Sequence, residues 1–172
     1  MISNHKPVYR YQALAWYLLS LLDLRSLIIY MEVFKMYIQC RSDIKVSNCE
    51  AVAGVFYDVL KNEDEVDQQK EHFWAMGLNT KNRVLYLELI SLGTLTEGLV
   101  HPREVFKSAI IKSACSLIFC HNHPSGESKP SGEDINTTQI LKKGGKLLGF
   151  NILDHIILGD NNIFSFQSEG IL

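Results

Sequence analysis

Beyond residue 45 the apolar positions follow two periods, 3.6 and 2, in turn. Val52, Val55, Phe56 and Val59 recur at spacings of three and four, which is one face of a helix. Ser47 or Asn48 stands where a side-chain oxygen can cap its start. The acidic run Glu63-Asp64-Glu65 then marks a solvated connection. Residues 73–78 and 84–91 are apolar runs of strand length, joined by Asn79-Thr80-Lys81-Asn82. Those four residues have turn chemistry, so the pair predicts a hairpin. Pro102 suits the first position of a helix. Val105, Phe106, Ala109 and Ile110 give that helix one apolar face, running to about Ala114. Residues 116–123 predict a short strand ended by Pro124. A loop rich in Gly, Ser and Pro leads to a helix over about 133–143, closed near Gly144-Gly145. Residues 152–158 and 163–166 predict a second hairpin around 159–162. Strands and helices mixed in this order predict one α/β (α+β) domain over residues 46–172.

Residues 1–45 differ in character. Segments 11–22 and 26–38 are apolar and aromatic, but Asp23, Arg25, Glu32 and Lys35 interrupt them. No uninterrupted run reaches the ~18 residues of a membrane span. Lys6 and Arg10 precede an apolar run as in a signal peptide, yet no small-residue cleavage site follows Leu22. The expectation is a short helical N-terminal appendage and no membrane.

Charge narrows the partners. Seventeen Lys+Arg against nineteen Asp+Glu leave a net charge of −2, which offers no general attraction to DNA. Lys142, Lys143 and Lys146 lie close enough in the chain to form a local basic patch. The four cysteines Cys40, Cys49, Cys115 and Cys120 make no C-x-x-C pair, so a thiolate zinc knuckle is not indicated. A chain this long needs no disulfides, and reduced cysteines imply a cytoplasmic setting.

The chemistry is concentrated in His121-Asn122-His123-Pro124-Ser125-Gly126 and Ser131-Gly132-Glu133-Asp134. Two residues apart at a strand end, His121 and His123 face the same side. Cys120 then points the other way, as a small buried apolar residue. Pro124 ends the ladder and turns the chain, and Asp134 falls at a helix start, where a carboxylate is favoured. Two imidazoles and one carboxylate make a metal site with a fourth position open to water, as in catalytic zinc centres. One zinc per chain is expected. Ser131 to Asp134 also reads as a helix capping box, and a carboxylate committed to a cap does not easily serve as a ligand. Asp154 and His155 are adjacent on a strand and face opposite ways. Their plainer reading is structural, although one of them can reach the site as a partner of a ligand. His5, His72 and His101 carry no spacing argument. The letters H-N-H are consecutive here, unlike the HNH nucleases, which spread their motif over a ββα unit.

The pattern H-x-H-P-x-G followed by S-x-x-D resembles the JAMM metalloproteases. The fuller strings HNHPSG and PSGED, then LDHIILGD at 153–160, are similar to the bacterial RadC-like branch. SLGTL at 91–95 and HPREVF at 101–106 extend the resemblance over about residues 47–172. It implies the JAB/MPN, cytidine-deaminase-like fold, a curved mixed β-sheet flanked by helices. It implies a single zinc on His121, His123 and Asp134, and hydrolysis of an amide or isopeptide bond in a polypeptide whose identity is not readable. Ser131 matches the motif serine that steadies the oxyanion. An upstream glutamate serves the family as general acid/base; Glu71, just before the first strand, matches best, with Glu88 and Glu104 as competitors. Residues 1–45 lack the glycine-bearing helix-hairpin-helix pattern of full-length RadC-like proteins. Two other readings are a DNA-linked role in repair or mobile elements, implied only by the resemblance, and a non-catalytic scaffold, a class that typically lacks part of the metal motif.

Overall fold

A computed structural model describes residues 37–38, 46, 48–93 and 100–172. The expected appendage, its boundary near residue 45, Ser47 and the last two residues of the SLGTL stretch lie outside the described residues. In chain order the elements are β1 (Tyr37–Ile38), α1 (Cys49–Lys61), a short 3-10 turn (Asp67–Gln69), β2 (His72–Leu78), β3 (Val84–Leu92), α2 (Pro102–Ile111), β4 (Ser116–Asn122), α3 (Gly132–Leu148), β5 (Asn151–Leu158) and β6 (Ile163–Ser165). The strands form one mixed sheet in the order β1-β3-β2-β4-β5-β6. Among the described strands only β4 and β5 run parallel, because the helix α3 between them carries the chain back.

The three central strands read as nearly continuous apolar runs because the sheet is covered on both faces. One face packs under α1, with Val52, Phe56 and Val59 against Trp74, Met76, Cys120 and Ile156. The other packs under α2 and α3, with Val105, Phe106, Ala109 and Leu141 against Phe73, Ala75, Leu117 and Phe119. Strand alternation sends Phe73 and Ala75 one way and Trp74 and Met76 the other. Gly77 is required where it stands: a Cβ there would fall within the ring of Tyr86, its cross-strand partner.

Local chemistry accounts for the element ends. Asn48 caps α1 by accepting from the Ala51 N–H at 2.9 Å. In the β2–β3 turn the Asn79 side chain accepts from the Lys81 and Arg83 N–H groups. Helix α2 starts on Pro102 but stops at Ile111, short of Ala114, and Ser113 turns the chain at φ 54. Helix α3 does not close at Gly144-Gly145. It runs on to Leu148 and ends on Gly149 in the left-handed conformation, φ 81. The two earlier glycines serve packing instead. A Cβ on Gly145 would meet Ile152 Cδ1 at 2.8 Å, and one on Gly144 would meet Phe106 Cε2 at 3.0 Å. No helix among the described residues is long and apolar enough to cross a membrane.

Candidate metal centre

The site forms where β4 ends and α3 begins. His121 is the next-to-last residue of β4 and is 1% exposed. His123 lies just past the strand, where its N–H still donates to the Leu158 carbonyl at 2.9 Å. The chain then turns back on itself, with the Gly126 N–H donating to the His123 carbonyl at 2.9 Å. Gly126 has φ 78, and its position faces the Asp160 carboxylate too closely for any side chain. Gly132 opens α3 four residues beyond Ser128, with Ser131 as the cap.

Asp134 caps the helix and faces the histidines at once, contrary to the expected conflict. The Ser131 N–H and the Ser131 hydroxyl both donate to Asp134 Oδ2 at 2.7 Å, and Ser131 Oγ accepts from the Asp134 N–H at 3.2 Å. Oδ1 lies 3.1 Å from His121 Nε2, and Oδ2 lies 3.4 Å from His123 Nε2. A carboxylate has about four lone-pair positions, so Oδ2 can hold the cap and still face His123 while Oδ1 faces His121.

The donor set fits a small divalent ion. His121 Nε2 and His123 Nε2 are 3.0 Å apart, and the two histidine–carboxylate separations are 3.1 and 3.4 Å. Donors placed about 2.0–2.1 Å from a tetrahedral centre are roughly 3.3 Å from each other. One ligand atom from each of His121, His123 and Asp134 falls within 4.8 Å of the others. Each ring is also held from behind. His123 Nδ1 is 2.7 Å from the Glu127 carbonyl. His121 Nδ1 is 2.8 Å from His155 Nε2, and His155 Nδ1 is 2.6 Å from Thr138 Oγ1.

Electrostatics follows from these contacts. Burial pushes the Asp134 carboxyl up, but hydrogen bonding to His121 and His123 overcomes it and holds the group well below the usual carboxylate range. The bond to Asp134 raises His123, burial opposes this, and the Glu127 carbonyl and the charge of Glu71 add to the rise. Burial drives His155 well below an ordinary histidine, so its ring is neutral.

Of the three glutamates, Glu71 is the one whose charge acts on His123. Glu104 is exposed and pairs with Arg103 at 3.1 Å. Glu88 sits on β3 opposite Ala75, with Oε2 buried and unpartnered among the described residues. The segment around Glu71 is gripped by a residue that sequence reasoning passed over. Asn122 accepts from the His72 N–H at 2.8 Å and donates to the Lys70 carbonyl at 3.0 Å. Thr138 was passed over too; its only sequence signal is a position one helical turn after Asp134. Of the adjacent pair on β5, His155 reaches the site. Asp154 serves the opposite face, accepting from the Ser165 hydroxyl and the Gln167 N–H. A cleft of about 510 Å³ opens beside His123, lined in part by Tyr57, Lys61, Gln68, Asn122 and Asp160.

The family model described as RadC-like JAB domain matches residues 46–171. A UPF0758 protein of Desulforudis audaxviator is 50% identical over 122 residues, covering 71% of this chain and 51% of that protein. UPF0758 proteins of Desulforamulus reducens and Methanosarcina mazei are 54% and 47% identical over 113 and 128 residues. These alignments cover 66% and 74% of this chain, and 50% and 54% of the relatives. The chain therefore spans about half the length of the curated relatives it matches.

Proposed function

Because the chain belongs to the RadC-like JAB domain family, we propose that it is a zinc-dependent hydrolase acting on an amide or isopeptide bond of a polypeptide. The observation that carries this reading is the convergence of two imidazole nitrogens and one carboxylate at separations that suit a tetrahedral ion. Zinc in a three-donor site retains an open position, lowers the pKa of water there to about 7 and polarises a carbonyl oxygen.

His121, His123 and Asp134 hold the ion. Glu71 takes the proton of the attacking water and returns it to the leaving amine. Its charge already acts at His123, and Asn122 fixes the backbone on both sides of it. Ser131 now directs its hydroxyl to Asp134 Oδ2. Rotating that hydrogen outward gives the oxyanion a donor, while the Ser131 N–H keeps the carboxylate in place. The cleft beside His123 receives the polypeptide. Free thiols at Cys49, Cys115 and Cys120 suit a cytoplasmic setting.

The test is metal content by mass spectrometry, followed by hydrolysis of a panel of peptide and isopeptide substrates. About one zinc per chain is expected, lost in His121→Ala/His123→Ala. Glu71→Gln keeps the zinc and loses about 10²–10⁴-fold in turnover, the usual size of a general acid/base contribution. A wild-type protein that takes up no zinc after reconstitution overturns the reading.

A further inference from the structure

We propose that Thr138 and His155 form a buried positioning relay that keeps a proton on His121 Nδ1 and so leaves Nε2 as the atom offered to a metal. The inference rests on the metal-centre reading above for its purpose, and on hydrogen-bond geometry alone for its content.

The order of protons can be worked out from one end. Thr138 Oγ1 is 2.6 Å from the Asp134 carbonyl oxygen, one helical turn back. A carbonyl only accepts, so the single hydroxyl proton of Thr138 lies in that bond. Were it directed elsewhere, two oxygens would face each other at 2.6 Å with lone pairs only. Oγ1 therefore accepts from its other neighbour, and His155 Nδ1, also at 2.6 Å, carries an N–H.

His155 is fully buried, and it packs against Phe73, Phe119 and Phe166, with the Phe166 ring stacked on it at 4.9 Å. Among the described residues no carboxylate hydrogen-bonds to it, and its ring nitrogens bond to Thr138 and His121. An imidazolium in that apolar shell would be a buried charge with no counter-ion in contact with it. With Nδ1 protonated, Nε2 is thus the acceptor. The 2.8 Å contact to His121 Nδ1 then requires the proton to be on His121. With Nδ1 committed to His155, Nε2 is the atom left for a metal; it lies 3.0 Å from His123 Nε2 and 3.1 Å from Asp134 Oδ1, with which it hydrogen-bonds in the metal-free protein. His123 is set the same way more simply, by its Nδ1 beside the Glu127 carbonyl at 2.7 Å. The relay also closes on itself. It starts at the backbone of Asp134 and ends at the atom facing the Asp134 carboxylate, so one helical turn of α3 supplies a ligand and orients another.

The test separates the relay from the metal site. Histidine tautomers are read by nitrogen-15 NMR on the metal-free protein near pH 8, where ordinary histidines are neutral. The relay requires His121 and His155 protonated at Nδ1 in the wild type. His121 without a proton on Nδ1 overturns it, whether or not the protein binds metal, and this needs no variant to fold. Zinc affinity is then measured by competition with a chromophoric chelator. Thr138→Val removes the acceptor for His155 Nδ1, lets the proton move to His155 Nε2 and so takes the proton off His121 Nδ1. It is expected to weaken zinc about 10- to 100-fold, the usual effect of losing an outer-shell partner. Thr138→Ser restores the hydroxyl and is expected to bind like the wild type. Equal zinc affinity in wild type and a folded Thr138→Val, with one zinc bound in each, sinks the relay and leaves the metal centre standing. Correct tautomers in a wild-type protein that takes up no zinc do the reverse.

Discussion

At the scale of single residues, the site is a set of side chains each given one orientation by a neighbour. His123 illustrates the consequence for pH. Its bond to Asp134 raises its pKa above the ordinary histidine value, so in the metal-free protein its stabilising contribution is present below about pH 6.5. That contribution is lost as pH rises through the raised value. Asp134 works in the opposite sense: it is depressed, so its contribution is present above about pH 3.9 and lost as pH falls below. The His123 and Asp134 contributions are thus both present between about pH 4 and 6.5, while His155, held neutral by burial, costs stability as pH falls below about 6.5, so metal-free protein should melt highest near the upper end of that window and lose stability on either side. Zinc-loaded protein should gain over the same rise, because the ion must displace the His123 proton. Thermal melts of both forms across this range check the prediction; parallel curves would mean that His123 is not a ligand. Asn122 offers a second test at this scale. Its side chain joins the Lys70 carbonyl and the His72 N–H while 4% exposed. Asn122→Ala leaves a buried N–H without a partner, a cost of about 1–3 kcal/mol. It also frees the segment carrying Glu71, so turnover should fall further than the lost stability explains, read as kcat at a temperature where the variant is fully folded.

At the scale of elements, much of the architecture was legible because periodicity and turn chemistry agreed. The α1 face, the β2–β3 hairpin and the β5–β6 hairpin all appear where apolar spacing and Asn/Gly turns put them. The end of α3 was not legible. Gly144-Gly145 has the composition of a helix stop, yet the glycines are there for the side chains of Phe106 and Ile152, which are distant in sequence. The same limit applies to the metal centre. The histidine pair and the acidic helix start could be read locally, since strand alternation and capping are local rules. Asn122, Thr138 and His155 act across 50, 17 and 34 residues, and no local rule gives the register of β4 against β5. Gly77 gives a prediction of this kind. In β2 it has the composition of a weak strand position, but the Tyr86 ring lies over it. Gly77→Ala should destabilise the protein by about 1–3 kcal/mol through overpacking, although alanine suits a strand better than glycine by local propensity. A melting temperature equal to or above wild type would show that the ring can move aside.

At the scale of the whole molecule, the centre joins parts of the fold that are far apart in the chain. β4 and the residue just past its end supply two imidazoles, α3 the carboxylate and β5 the ring behind His121. An ion bound there ties α3 to the sheet, and the unfolded chain offers no comparable site, so binding adds directly to folding stability. At free zinc one hundred times the dissociation constant the gain is about 2.7 kcal/mol. For a chain of 172 residues this corresponds to a rise in melting temperature of roughly 5–11 °C. The rise should scale with the logarithm of free zinc and vanish in His121→Ala/His123→Ala. The control matters because Cys115 is an exposed thiol and thiols also bind zinc. An equal rise in the double variant would assign the stabilisation to such a secondary site. A rise confined to the wild type would mean that one ion holds β4 and α3 together, which is what a hydrolytic centre split between a strand end and a helix start needs in order to keep its geometry.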